Sequence, residues 1–264
     1  MRLSLARTVL TDAMATHRAP AVTRAIAVLK LLAEERDGLG VNAIARQLDM
    51  VPSSCLHVLR ALAADGLVQV DPDNKRYSLG LGLLTLAHEM LGRNHFARLV
   101  QPDLERIARD YGATATAVEL DDRERMVVVA VAQAPTLLQI QVGIGSRFPA
   151  WISATGRCVA AAAGLPTDAL HRRFTALKWQ APPCFEQWLG EIELARQQGF
   201  AIDPGNYICG FTIVASPVGT TGAVRRAVSV VSVSEQLNDV RLAALTRDTK
   251  DAAHRVGVRL RGLR

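Results

Sequence analysis

Residues 42–71 read NAIARQLDMVPSSCLHVLRALAADGLVQVD. The run breaks into a short helix, a tight turn, a longer helix and the start of a strand. In the first part Ile44, Ala45 and Leu48 share one helical face, with Arg46 and Gln47 outward. The turn is Asp49-Met50-Val51, and Pro52, a favoured first-turn residue, opens the next helix. Its apolar positions are Leu56, Leu59, Leu62 and Ala63. Its other face carries Ser53, His57 and Arg60 at i, i+4 and i+7, with Ser54 beside them, before Asp65-Gly66 ends it. Two short helices joined this closely form a helix-turn-helix, although many helical hairpins look alike. If it is one, the second helix offers Ser53, Ser54, His57 and Arg60 to a DNA major groove.

The flanks extend the reading. Upstream, Val22, Ala25/Ile26, Leu29 and Leu32/Ala33 repeat at helical spacing until the Asp37-Gly38 turn. Downstream, residues 67–70 read as a strand, Asp71-Pro72-Asp73-Asn74 as a turn, and residues 75–79 as the returning strand. Three helices plus this hairpin make a winged helix. Its tip carries Lys75 and Arg76, either as a solvated tip or as phosphate contacts that position without reading sequence. Residues 81–92 (LGLLTLAHEMLG) are apolar around most of a helix, which must therefore be covered, either by a second copy or within the chain.

Residues 96–264 have another texture. A helix over 99–111 precedes strands at 113–120 and 126–132; Leu138, Ile140 and Val142 alternate with Gln139 and Gln141 as a half-buried strand. Ser153 can cap a helix running to Ala163. Residues 165–185, with Pro166, Pro182 and Pro183, read as irregular. A helix over 186–198, strands at 200–203 and 211–218, a turn at 219–222 and a long strand at 223–234 follow. A basic amphipathic helix closes the chain, with Val240, Leu242 and Leu245 early in it. This order resembles a sensory domain of the GAF type, an antiparallel sheet carrying helices. The fold class is thus α+β: a tail at 1–19 (disordered, or one frayed helix with Leu5, Val9, Leu10 and Met14), a winged helix-turn-helix at 20–80, a linker and dimerisation helix at 81–95, and a GAF-like domain at 96–264.

Composition bounds the function. The chain has 264 residues, 49% hydrophobic and 21% charged, so it can build a packed core and is not disordered. No apolar run reaches the roughly 18 residues of a membrane helix, and Arg7 and Asp12 interrupt any signal-peptide core. A cytoplasmic protein without a membrane partner is expected. Cys55, Cys158, Cys184 and Cys209 form no CxxC pair and, with the histidines, no zinc-ligand spacing, so neither metal nor cofactor is expected. Net charge is +6, but residues 1–95 hold 11 basic against 9 acidic residues. A DNA-binding reading therefore rests on placed residues and not on bulk charge.

In series, these parts resemble the IclR family of transcription regulators from about Val22 to Leu245. The carrying segments are VTRAIAVLKLLAE, residues 42–71, RYSLG, GSRFPAWISATGR, GFAID, FTIVASPV and VSVVSVS. The resemblance implies a dimer or tetramer that binds a double-stranded DNA operator and a small organic effector, often a carboxylate or an aromatic degradation intermediate, controlling a catabolic operon. It puts the effector site on Trp151, Ala154, Thr155, Asp203, Ile213, Ser232 and Ser234. The residues support part of this, because amides at a helix start attract anions and Ser232 and Ser234 share a strand face; equally, Ser153 can be a mere cap and the serines can satisfy each other. Three departures stand out. Trp151 replaces the family's common His and Ile213 its common Cys, so an effector with an apolar or aromatic part is expected. His57 stands where the recognition helix usually has Arg, and a neutral imidazole cannot make Arg's bidentate guanine contact. The alternatives are a GAF-type enzyme or a sensor without DNA binding. Ser153 sits in no GxSxG elbow, and no HExxH, P-loop or GxGxxG is present, so no catalytic residue is expected; Cys158 or Cys209 with His171 as a thiol site reads better as small buried residues.

Overall fold

The computed structural model describes residues 19–135, 140, 142–219 and 224–262. The N-terminal tail before residue 19, most of the turn at 219–222 and residues 138, 139 and 141 of the strand expected from Leu138 to Val142 lie outside them; Ile140 and Val142, which are described, are in no strand. The chain divides into two compact units between Met90 and Leu91.

In the first unit, α1 (Pro20–Glu34), α2 (Val41–Gln47) and α3 (Pro52–Ala64) precede β1 (Val68–Val70) and β2 (Tyr77–Leu79). Val28, Leu32, Ile44, Cys55, Leu59 and Val68 form the core. The buried face of α1 differs from the expected one. Val28 and Leu32 are inside, whereas Val22 and Ile26 remain exposed. Ala33, on the expected stripe, is exposed as well, so the buried face is rotated toward Val28: apolar residues run round most of α1, and packing on α3 and β2 selects the face. Between α2 and α3, Asp49 takes the left-handed conformation (φ 51°) and the Met50 amide donates to the Ala45 carbonyl, 2.8 Å. Asp tolerates that conformation better than most residues, which lets a short turn reverse the chain.

The wing is a three-way pairing. β1 and β2 are antiparallel with Val68 opposite Leu79, and Leu39 bridges Tyr77 through hydrogen bonds of 2.9 and 2.8 Å. A side chain at Gly38 (φ 67°) would place Cβ 2.6 Å from the Tyr77 carbonyl oxygen, so this close approach requires glycine. The next helix, α4 (Gly82–Arg93), has no buried residue; Leu84 and Met90 are 65% and 60% exposed.

The second unit contains α5 (His95–Tyr111), β3 (Thr114–Leu120), β4 (Arg125–Gln133), β5 (Arg147–Pro149), α6 (Ser153–Ala163), α7 (Thr167–Ala176), α8 (Phe185–Gln198), β6 (Ala201–Asp203), β7 (Phe211–Pro217), β8 (Arg226–Val233) and α9 (Asp239–Arg261). The strands form one antiparallel sheet in the order β5-β4-β3-β8-β7-β6. One face packs on α5 and α9 through Ala115, Ala117, Val214, Val228 and Val230, against Leu104, Ile107, Leu245 and Val256. The other face meets α6 and α8. Two expectations need correction. Residues 167–176 are helical, not irregular; α7 buries only Ala169 and Leu170, too few apolar residues to mark a helix beside three prolines. The N-cap of α6 is Ile152, not Ser153, which sits inside the first turn.

Candidate DNA-binding surface and effector pocket

α3 sorts its side chains by face. Cys55, Leu59 and Leu62 enter the core, so Ser53, His57 and Arg60 stand exposed on the opposite face and Ser54 half-buried at its margin. These four expected groups are brought together on one helical face. Arg46 and Asn42 on α2 are also exposed, and their outward register is visible in the sequence although they were not singled out.

The two wing cations separate in role. Asp71 builds the turn, with Oδ1 accepting the Asp73 amide at 2.9 Å and Oδ2 accepting from Asn74 Nδ2 at 2.6 Å. Those bonds, the Asp73 amide foremost, hold its carboxyl below the usual range. Lys75 sits exposed at the tip in the left-handed conformation (φ 56°). Arg76 departs from expectation. Its Nε and Nη2 donate to the Gly38 carbonyl at 3.2 and 3.0 Å. Its guanidinium ties the wing to the α1–α2 loop and is not a free tip cation.

On the second unit, sheet register assembles a row beneath α6. Thr114 of β3 pairs with Val231 of β8, Val231 with Ile213 of β7, and Ile213 with Asp203 of β6. Ile213 packs with Ala154, Cys158 and Ala215. The start of α6 is strained. Ser153 is buried at φ 66°, and its Oγ accepts the Ala154 amide at 2.6 Å. A Cβ at Gly156 would lie 2.0 Å from the Trp151 carbonyl carbon, so glycine is needed for this tight entry. The first amides of a helix lack intrahelical acceptors. Thr155 is 1% exposed and its Oγ1 has no hydrogen-bond partner. A buried hydroxyl left unpaired is costly, and such groups concentrate at functional sites.

The other expected effector residues are placed differently. Asp203 is fully buried and occupied. Its Oδ1 accepts the amides of Gly205, Asn206 and Tyr207, and its Oδ2 meets Arg157 Nη1 at 3.4 Å. Arg157, also fully buried, donates to Glu191 (2.6 Å) and Asn206 (2.9 Å). Asp203 therefore anchors the loop at 203–207. Trp151 is fixed by its Nε1 donating to Glu124 at 3.1 Å and by Arg173 over its ring at 4.7 Å. Strand alternation carries Ser232 with Val228 and Val230 onto the α5/α9 face, away from Ile213. Ser234 follows β8, and its Oγ bonds Thr212 Oγ1 at 2.9 Å. Ser232 and Ser234 thus lie across the sheet from Ala154 and Thr155, while Ser232 Oγ is itself buried without a partner. Thr114 and Thr116 are also buried on the sheet face turned away from α5 and α9; the alternation of Ala115 and Ala117 to the other face is their signal in the sequence.

Cys158 is buried as expected, whereas Cys209 is exposed. Burial pushes the Cys158 thiol up to about 12, and its Sγ contacts the Ala215 carbonyl at 3.6 Å. His171 lies edge-on to Phe185, 4.7 Å between ring centres. Among the described residues, no three His, Cys, Asp or Glu side chains are grouped to hold a metal, and no helix is long and apolar enough to cross a membrane.

Comparison with known proteins agrees with this architecture. Residues 21–72 match the IclR helix-turn-helix domain, and residues 88–258 match the bacterial transcriptional regulator IclR C-terminal domain. The HTH-type transcriptional repressor AllR of Escherichia coli K12 is 24% identical, with 94% of each chain covered. An IclR transcriptional regulator from Alicyclobacillus acidocaldarius is 26% identical with a TM-score of 0.77, covering 92% of this chain and 99% of that one. An IclR homologue from Microbacterium hydrocarbonoxydans, solved with 4-hydroxybenzoate, shares the fold at 18% identity and a TM-score of 0.77, over 92% of this chain and 99% of that one. Such proteins are DNA-binding regulators of transcription and not enzymes. With more than half of its length matched to the C-terminal domain and the helix-turn-helix matched separately, the chain belongs to the IclR family of bacterial transcriptional regulators.

Proposed function

We propose that this regulator reads operator DNA with the exposed face of α3 and responds to a small organic acid that carries an apolar or aromatic part. Arg60 and His57 make the base contacts, Ser53 and Ser54 support them, and Lys75 holds phosphate. Arg76 positions the wing. The effector binds at the start of α6, where amide donors and the helix dipole suit a carboxylate and Ile213 supplies an apolar wall. The observation carrying this reading is the buried, unpartnered hydroxyl of Thr155, aligned with that helix start. The Microbacterium homologue's complex with 4-hydroxybenzoate supports an aromatic acid as the first candidate. Asp203 acts through Arg157 on the neighbouring loop, and Ser232 and Ser234 act from the far side of the sheet, not as direct contacts.

The regulator acts in the cytoplasm as a homodimer or a homotetramer. The dimer buries the exposed apolar face of α4 with Val22 and Ile26 of α1. The experiment is selection of bound duplexes from a random pool, with and without 4-hydroxybenzoate. A roughly palindromic motif with half-sites about 10 bp apart, or a multiple, is expected, with occupancy changed by the acid. No enriched motif under either condition overturns the DNA reading. A motif indifferent to aromatic acids but responsive to glyoxylate or pyruvate overturns the effector class.

A further inference from the structure

We propose that a groove between the end of α8, the end of β7 and the C-terminal half of α9 binds a small molecule bearing two or more separated anionic groups, such as a phosphorylated or polycarboxylate metabolite. The cavity measures about 570 Å³, within the usual range of small-molecule sites. Lys250, His254, Gly257 and Arg261 of α9 form one wall. Their spacing of i, i+4, i+7 and i+11 puts them on a single helical face. A Cβ at Gly257 would lie 3.2 Å from the Gly219 amide nitrogen, so that wall is open to main chain at its middle. Across the groove, Arg196 donates to the Ala161 carbonyl at 3.1 Å and pairs with Glu193.

The charge pattern defines the ligand. Among the described residues lining the groove there is no Asp or Glu. Among the described residues, Lys250, His254 and Arg261 make no hydrogen bond or ion pair. Elsewhere on α9 Arg241 and Arg255 are engaged, by the Tyr111 carbonyl at 3.1 Å and by Asp103 at 2.6 Å, while Arg247 and Arg259 are unpaired among the described residues but do not line the groove. A concave site lined by one sign of charge focuses its field. An anion is attracted by that field, whereas a neutral ligand is not. Lys250 and Arg261 lie about 16 Å apart along the helix axis with His254 between them, which suits separated anionic groups better than one isolated phosphate. The groove borders Ala161 and Ala162 in the last turn of α6, while the proposed effector contacts lie in its first turn. The two sites are therefore different, and this proposal does not depend on the effector's identity.

The test is thermal melting and titration calorimetry of the full chain with tripolyphosphate, at ionic strength held constant with sodium chloride. Three proteins are compared: wild type, the double variant K250Q/R261Q, and K75Q as a control for polyanions on the DNA-binding surface. Wild type and K75Q should show a saturable rise in melting temperature. K250Q/R261Q should melt no lower than wild type without the anion, because its substituted side chains are exposed, and should bind at least about tenfold more weakly. No saturable shift in wild type at millimolar tripolyphosphate overturns the site. So does an unchanged response in K250Q/R261Q, or a response lost only in K75Q.

Discussion

Replacing Thr155 with valine tests whether the start of α6 is built for a ligand. Valine matches threonine in shape, so the substitution removes little except the hydroxyl. That hydroxyl is buried and makes no hydrogen bond in the ligand-free chain. Desolvating such a group without a partner costs about 1–3 kcal/mol. T155V should therefore stabilise the free protein by about that amount. For a unit of the size of Leu91–Arg264, each kcal/mol moves the melting temperature by roughly 2–4 °C. A rise of roughly 2–6 °C is expected at the conservative end, measured by calorimetry on wild type and variant at equal concentration. Stabilisation by an added aromatic acid should shrink in the same variant. An unchanged or lower melting temperature would show that the hydroxyl is already satisfied in solution, and the argument for a prepared site would fail.

Four further outcomes follow from the geometry. On DNA, Arg60→Ala should cost about 1–3 kcal/mol at the cognate site, and Lys75→Ala should shallow the salt slope by about one unit; Arg76→Ala should leave that slope intact while lowering the stability of the first unit, as read by melting. Leu84→Asp with Met90→Asp should convert the sedimenting species to a monomer, and an unchanged sedimentation coefficient would remove α4 from the interface. Arg157→Ala leaves a fully buried Asp203 carboxylate without its cation and should destabilise by about 3–5 kcal/mol in urea titration. The Cys158 thiol is pushed up to about 12 from 9.0 by burial. Its stabilising effect is therefore complete below pH 9 and is lost as pH rises from 9 toward 12. In a thiol-labelling time course, exposed Cys184 and Cys209 should react first, and Cys158 only on unfolding.

The helix-turn-helix was legible because its information is local. Pro52 starts α3, Gly66 follows its end, and the spacing of Leu59 and Leu62 against His57 and Arg60 states which face is wet. The longer strands of the second unit are legible for the same reason, since β-branched residues run through β4, β7 and β8, whereas the three-residue β5 is not. Helix α7 was not, because two buried residues give too little periodicity. The buried face of α1 is not legible because its apolar residues run round most of the helix, so spacing alone does not choose the Val28/Leu32 face over the Val22/Ile26 face.

The start of α6 marks the boundary between the two kinds of information. Sequence alone determined the order of parts and which face of α3 is wet. Only the tertiary structure decided which side chains lie together around α6. Asp203 is claimed by Arg157 and three amides, and Arg157 comes from 46 residues away in the chain. Ser232 and Ile213 sit on opposite faces because the β7–β8 register sets Ile213 against Val231, and a shift of one residue would exchange them. Arg76 is a clamp because the α1–α2 loop comes within 3.0 Å of it. Periodicity and caps are properties of neighbours in sequence. Partnership of buried polar groups depends on register and packing between distant segments, and no local pattern encodes it.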